Sequence, residues 1–130
     1  MTRLNTIFLV DDDVDDREIF SIALKEVDDS IVCISAADGV EALSKLSDNA
    51  FRPDCIFLDL NMPRMDGKQC LVELKSAPGL QDIPVVIYST SAAPKDIADT
   101  LAMGASDFVT KPPGIDELIE RLRHVLTKHG

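Results

Sequence analysis

Five times along this chain a short apolar, β-prone run stops at a polar or charged residue, and a segment of helical periodicity follows. The runs are 6–10 (TIFLV), 31–35 (IVCIS), 55–58 (CIFL), 84–88 (PVVIY) and 107–110 (DFVT). Between them apolar residues return at helical spacing. Ile19, Phe20, Ala23, Leu24 and Val27 predict a helix over 15–27, and Val40, Leu43 and Leu46 predict one over 39–49 with those side chains inward. A third helix starts at Asp66-Gly67 and runs to about 76, where Pro78-Gly79 stops it. Ile97, Leu101 and Ala102 predict an inward stripe over 95–103, and Ile115, Leu118, Ile119, Leu122 and Val125 one over 115–127. Continuously apolar strands alternating with helices form a parallel sheet covered on both faces. The expected fold class is therefore α/β, a doubly wound five-stranded parallel sheet. In such sheets chemistry sits beyond the carboxyl ends of the strands, where the strand order reverses.

Size and charge narrow the function classes. The 130 residues suit one domain over 1–130, with a core of about 5–127 and no output domain. No apolar run approaches the ~18 residues of a membrane span. The opening MTRLNTIFLVDDD lacks the pattern of a signal peptide, so a cytoplasmic protein with no membrane association is expected. The net charge is −10, with 15 acids against 6 bases in 1–66 and 8 against 7 in 67–130. That balance repels nucleic acid, so no nucleic-acid partner is expected for this chain. Cys33, Cys55 and Cys70 lack C-x-x-C spacing and have apolar neighbours, as buried reduced thiols do.

The strand ends carry an unusual set of groups. The first run ends in Asp11 and Asp12, the third in Asp59, the fourth in Ser89, and the fifth in Thr110 and Lys111. Polar loops are ordinary, but three carboxylates, two hydroxyls and an ammonium on one sheet edge are not. Converging carboxylates repel one another unless a cation lies among them. Oxygen ligands without His or Cys point to a hard cation such as Mg²⁺, which takes carboxylates, waters and phosphate oxygens. Asp13, Asp15 and Asp16 stand at a helix start, where carboxylates cap and favour the macrodipole.

FLVDDDVDD, FLDLNMPRMDG, PVVIYSTS and FVTKPP, in that order, resemble the receiver (CheY-like) domain of bacterial two-component response regulators, over about residues 5–127. The resemblance implies a flavodoxin-like (βα)5 sheet in the order 2-1-3-4-5. It implies that Asp59 accepts a phosphoryl group from a histidine kinase or histidine phosphotransfer protein. Asp12 would bind Mg²⁺ directly and Asp11 chiefly through water, with Asp59 and the backbone carbonyl of Asn61 completing the protein ligands. Lys111, followed by the family's typically cis-linked proline Pro112, would pair with a phosphoryl oxygen. Ser89 matches the switch hydroxyl, with Thr90 as a less well-spaced substitute, and Phe108 the aromatic that follows the switch. Asn61 and Ser91 fall where the family tunes acyl-phosphate hydrolysis and imply ordinary self-dephosphorylation. The fourth helix, fifth strand and fifth helix (about 95–127) would form the partner or homodimer face. The KSAPGLQDIP stretch is similar to stand-alone receivers that serve phytochrome-like or hybrid kinases.

The residue types suit that chemistry. A carboxylate is a ready nucleophile at neutral pH, and a cation and an ammonium balance charge on the equatorial oxygens. Such a chain is a phosphoacceptor with self-catalysed phosphotransfer and autodephosphorylation, not a conventional enzyme. The alternative is a small haloacid-dehalogenase-like phosphatase with Asp11 as nucleophile, since Asp11-Asp12-Asp13-Val14 also fits the start of that motif. Against it, Lys111-Pro112 stands late in the chain where that family needs a second acidic cluster. A flavodoxin-type carrier fits worse, because the aspartates after the first strand would repel a flavin phosphate.

Overall fold

The computed structural model describes residues 4–48 and 51–129. It contains β1 (Thr6–Val10), α1 (Val14–Val27), β2 (Val32–Ala36), α2 (Gly39–Leu46), β3 (Cys55–Leu58), α3 (Gly67–Ser76), β4 (Val85–Ser89), α4 (Pro94–Ala102), β5 (Asp107–Thr110) and α5 (Ile115–His129). The strands form one sheet in the order β2-β1-β3-β4-β5, every pair parallel. The expected strand order and fold class are both observed.

Side chains along each strand alternate between faces, and the sheet divides the core accordingly. Ile7, Leu9, Cys55, Phe57, Val86 and Tyr88 meet Phe20, Leu24, Leu118 and Leu122 of α1 and α5. Phe8, Val10, Ile56, Leu58, Val85 and Ile87 meet Ala42 and Leu46 of α2 and Cys70, Leu71 and Leu74 of α3. Aspartates start three helices: Asp13 accepts from the amides of Asp15 and Asp16, Asp38 from Glu41, and Asp66 from Gln69. Each satisfies donors that the first helical turn leaves open.

Several details depart from the sequence expectation. β2 and β4 begin and end one residue later than expected. α2 closes at Leu46, with Ser47 as its cap; the expected last residue, Asn49, lies outside the described residues. Val40 is 41% exposed, and Ala42 with Leu46 makes the buried contact instead. α4 departs most. Leu101 and Ala102 turn outward, and Thr100 is its one buried residue. Thr100 can occupy that position because its hydroxyl donates to the Asp96 carbonyl at 2.8 Å. Ile19 and Ile115 also face solvent, at 42% and 39% exposure. No helix among the described residues is long and apolar enough to cross a membrane.

Candidate functional site

Strand pairing builds the site. Val10 lies opposite Leu58, and the ladder continues past both, the Asp59 amide donating to the Val10 carbonyl at 2.9 Å and the Asp11 amide to the Ala36 carbonyl at 3.0 Å. Asp11 and Asp59 are thus neighbours at the carboxyl edge. On the far side β5 pairs with β4, Ser89 opposite Thr110, and the Lys111 amide donates to the Ser89 carbonyl at 2.7 Å. That anchors Lys111 so that its side chain reaches back to β1 and β3.

The carboxylates converge. Ligand oxygens of Asp11, Asp12 and Asp59 all lie within 4.8 Å of one another. Asp11 is fully buried and Asp59 is 4% exposed, whereas Asp12 faces solvent. Asp11 Oδ1 accepts from the Asp13 amide at 3.0 Å, and the Arg17 guanidinium donates to the Asp11 carbonyl at 2.7 Å. Asp11 Oδ2 has no directed hydrogen bond, although Lys111 Nζ lies 2.8 Å away. The Lys111 ammonium thus compensates a buried oxygen of the carboxylate cluster. An acceptor of this kind beside two further carboxylates fits a hard divalent cation.

Lys111 Nζ stands among three carboxylates: 2.7 Å from Asp16 Oδ2, 2.8 Å from Asp11 Oδ2 and 3.6 Å from Asp59 Oδ2. Burial works against its charge, but the carboxylates of Asp11 and Asp16 outweigh it and hold the ammonium above its ordinary pKa. Burial pushes the Asp59 carboxyl up to about 6; Lys111 opposes that shift and Asp11 adds to it. The Tyr88 ring, 5.3 Å from Lys111 Nζ, lies under the ammonium.

Ser89 is buried, and its Oγ accepts a long hydrogen bond from the Ser91 amide at 3.3 Å. Thr90 is exposed, while Thr110 Oγ1 donates to the Ser91 carbonyl at 3.1 Å. Phe108 is half-buried against the α2–α3 side of the core. Asn61 is exposed, its amide 3.4 Å from Asp59 Oδ1. The peptide bond before Pro112 is trans, as are all those described. That corrects the cis linkage implied by resemblance: trans is the lower-energy isomer by about 0.5–1 kcal/mol, and Lys111 reaches its carboxylates with the bond so placed. Cys55 and Cys70 are buried and Cys33 half-buried. Burial raises these thiols to about 12, 12 and 11, so they stay protonated.

Two contacts escaped sequence reasoning. Asp16, read as a helix-start carboxylate, is the nearest partner of Lys111. Asp16 stands in the first turn of α1, directly after the strand-end aspartates, but no local pattern names a partner 95 residues away. Tyr88 carries no sequence signal beyond its place in an apolar strand.

Comparison with known proteins agrees with this fold. The family model described as response regulator receiver domain matches residues 7–123. The transcriptional regulatory protein PrrA of Mycobacterium tuberculosis is 36% identical over 96 residues, 74% of this chain but 40% of PrrA. The chain therefore spans well under two thirds of that relative's length. Response regulator Rcp1 of Synechocystis is 31% identical over 92% of this chain and 84% of its own. The crystal structure of the phosphorylated cyanobacterial phytochrome response regulator RcpA superposes with a TM-score of 0.86 at 34% identity, covering 95% of this chain and 91% of RcpA. A Mn²⁺-bound form of Rcp1 gives 0.83 at 30% identity, covering 93% and 91%.

Proposed function

The chain belongs to the response regulator receiver domain family of two-component systems, and on that premise we propose that Asp59 is its phosphoryl acceptor. Response regulators are not conventional enzymes, and their two-component partners are histidine kinases. The observation that carries the reading is the placement of Asp59: a nearly buried carboxylate, within 4.8 Å of Asp11 and Asp12 ligand oxygens and 3.6 Å from the Lys111 ammonium.

In the proposed reaction an Asp59 oxygen attacks the phosphorus of a phosphohistidine. An O–P bond forms, the P–N bond breaks, and the imidazole nitrogen leaves with the electron pair. Asp11, Asp12, Asp59 and the Asn61 carbonyl would hold Mg²⁺. Bound there, Mg²⁺ would screen the carboxylates from one another and from the incoming phosphoryl charge. Lys111 supplies the second positive charge, already desolvated and aimed at the site. The buried Ser89 Oγ accepts only a long hydrogen bond, from the Ser91 amide, and its O–H could donate to a phosphoryl oxygen. A contact available in one state alone shifts an equilibrium toward that state; Phe108, opposite Ile87 on β4, is placed to follow.

The domain acts through protein contacts with a histidine kinase or phosphotransfer protein, and α4, β5 and α5 are its output or homodimer face. Asp11 is less suited to be a nucleophile, being fully buried with one oxygen on the Asp13 amide and the other against Lys111. Borohydride reduction after treatment with acetyl phosphate and Mg²⁺ converts an aspartyl phosphate to homoserine. The reading expects that change at residue 59 by peptide mass, and the change at residue 11 would instead support the phosphatase reading.

A further inference from the structure

The loop between β3 and α3 contains a backbone conformation that phosphoryl transfer alone does not explain. Arg64 has φ 67°, the only non-glycine residue with positive φ among the described residues. Left-handed backbone crowds a Cβ against the carbonyl and costs about 1–2 kcal/mol. The Met65 amide donates to the Pro63 carbonyl at 2.7 Å, closing a three-residue turn around Arg64. Such a turn with positive φ at its centre is rare and strained, and it persists only where its surroundings hold it.

Two contacts hold it, both on the start of α2. Arg64 Nε and a terminal guanidinium nitrogen donate to Asp38 Oδ2 at 3.2 and 2.5 Å. The Asp38 side chain is only 12% exposed and the Arg64 side chain 60%, so the carboxylate end of the pair is buried and the arginine stem reaches it from the surface. The next residue, Met65, lies over Gly39, where an added Cβ would come within 3.0 Å of the Met65 sulfur. Asp38 serves both elements at once: its Oδ1 caps α2 through the Glu41 amide at 2.9 Å while Oδ2 takes the guanidinium.

Asn61 opens the pinned loop, three residues before Arg64. We infer that Arg64 is a positioning residue: its clamp on Asp38 fixes where the Asn61 carbonyl stands, so that Mg²⁺ affinity depends on the Arg64–Asp38 pair. The inference rests on the reading of Asn61 as a ligand. It opposes what charge alone predicts, because removing a positive charge from the protein should favour binding of a divalent cation.

The test is isothermal calorimetry of Mg²⁺ binding to the full chain, alongside melting in EDTA, for wild type, Arg64→Gly, Asp38→Asn and the double variant. Glycine accepts the positive φ, and asparagine caps a helix about as well as aspartate, so neither change threatens the fold. The clamp predicts that Arg64→Gly melts within a few degrees of wild type yet binds Mg²⁺ three- to tenfold more weakly. Asp38→Asn should weaken binding similarly, with the double variant no worse than either single one. Equal or tighter binding by Arg64→Gly, or losses that simply add in the double variant, would overturn the clamp alone. A wild type that binds no Mg²⁺ would overturn the reading of the site and the clamp with it.

Discussion

Lys111 Nζ lies nearer to Asp16 than to either strand-end carboxylate, 2.7 Å against 2.8 Å for Asp11 and 3.6 Å for Asp59. The ammonium that is proposed to serve Asp59 is therefore held back from it by the first turn of α1. Asp16 gives Lys111 a counter-ion that a cation bound between Asp11 and Asp59 would leave untouched.

Replacing Asp16 with asparagine should destabilise the fold by about 0.5–1 kcal/mol at pH 7, since Lys111 keeps Asp11 and Asp16 is a third exposed. Urea unfolding measures it. The loss should shrink by at least half in a Lys111→Met background, leaving only the helix-terminus contribution. An equal loss in both backgrounds would mean that the pair does not couple.

Asp59 works against the stability of the metal-free protein. Its carboxyl is raised from 3.8 to about 6, so the folded state binds its proton more tightly than the unfolded chain does. Its stabilising contribution is present in full below pH ~4 and is lost as pH rises through about 4–6. By pH 7 the ionised group disfavours the fold by roughly 2–3 kcal/mol. Asp59→Asn in EDTA should therefore melt several degrees higher than wild type at pH 7 and show little gain at pH 4. Asp38, Asp96, Asp99 and Asp107 are shifted the other way, so the difference between variant and wild type isolates residue 59. A gain that does not change with pH would contradict the assignment.

Gly67 fixes the approach of α3 to the site. A Cβ there would lie 2.2 Å from the Asp59 carbonyl oxygen and 2.5 Å from Leu60 Cα, both backbone atoms with no room to yield. Gly67→Ala should cost about 3 kcal/mol or more, read as a lower urea midpoint with an unchanged slope. A near-neutral result would show that α3 can shift without disturbing β3.

Ser89→Ala should leave stability within about 1 kcal/mol, because the lost hydrogen bond is long. Phosphorylation of Asp59 should persist, while the amide shift of Phe108 on adding beryllofluoride should fall to a fraction of the wild-type value. An undiminished Phe108 response would remove Ser89 from the switch.

The sheet was legible because its strands are apolar on both faces, a pattern that leaves little choice of partner. The carboxylates were legible because strand ends define one edge, and β1 beside β3 brings Asp11 to Asp59. Local spacing failed where tertiary packing chose the face. Leu101 fits a helical stripe, yet α4 buries Thr100, whose hydroxyl is satisfied within its own helix. The Arg64–Asp38 and Lys111–Asp16 pairs join residues 26 and 95 positions apart, and only the fold can bring them together.

The most direct measurement is the intact mass of wild type and Asp59→Asn after incubation with acetyl phosphate, with and without Mg²⁺. The account predicts one phosphoryl adduct on the wild type, dependent on Mg²⁺ and absent from Asp59→Asn. An adduct that survives in Asp59→Asn and disappears in Asp11→Asn would contradict it.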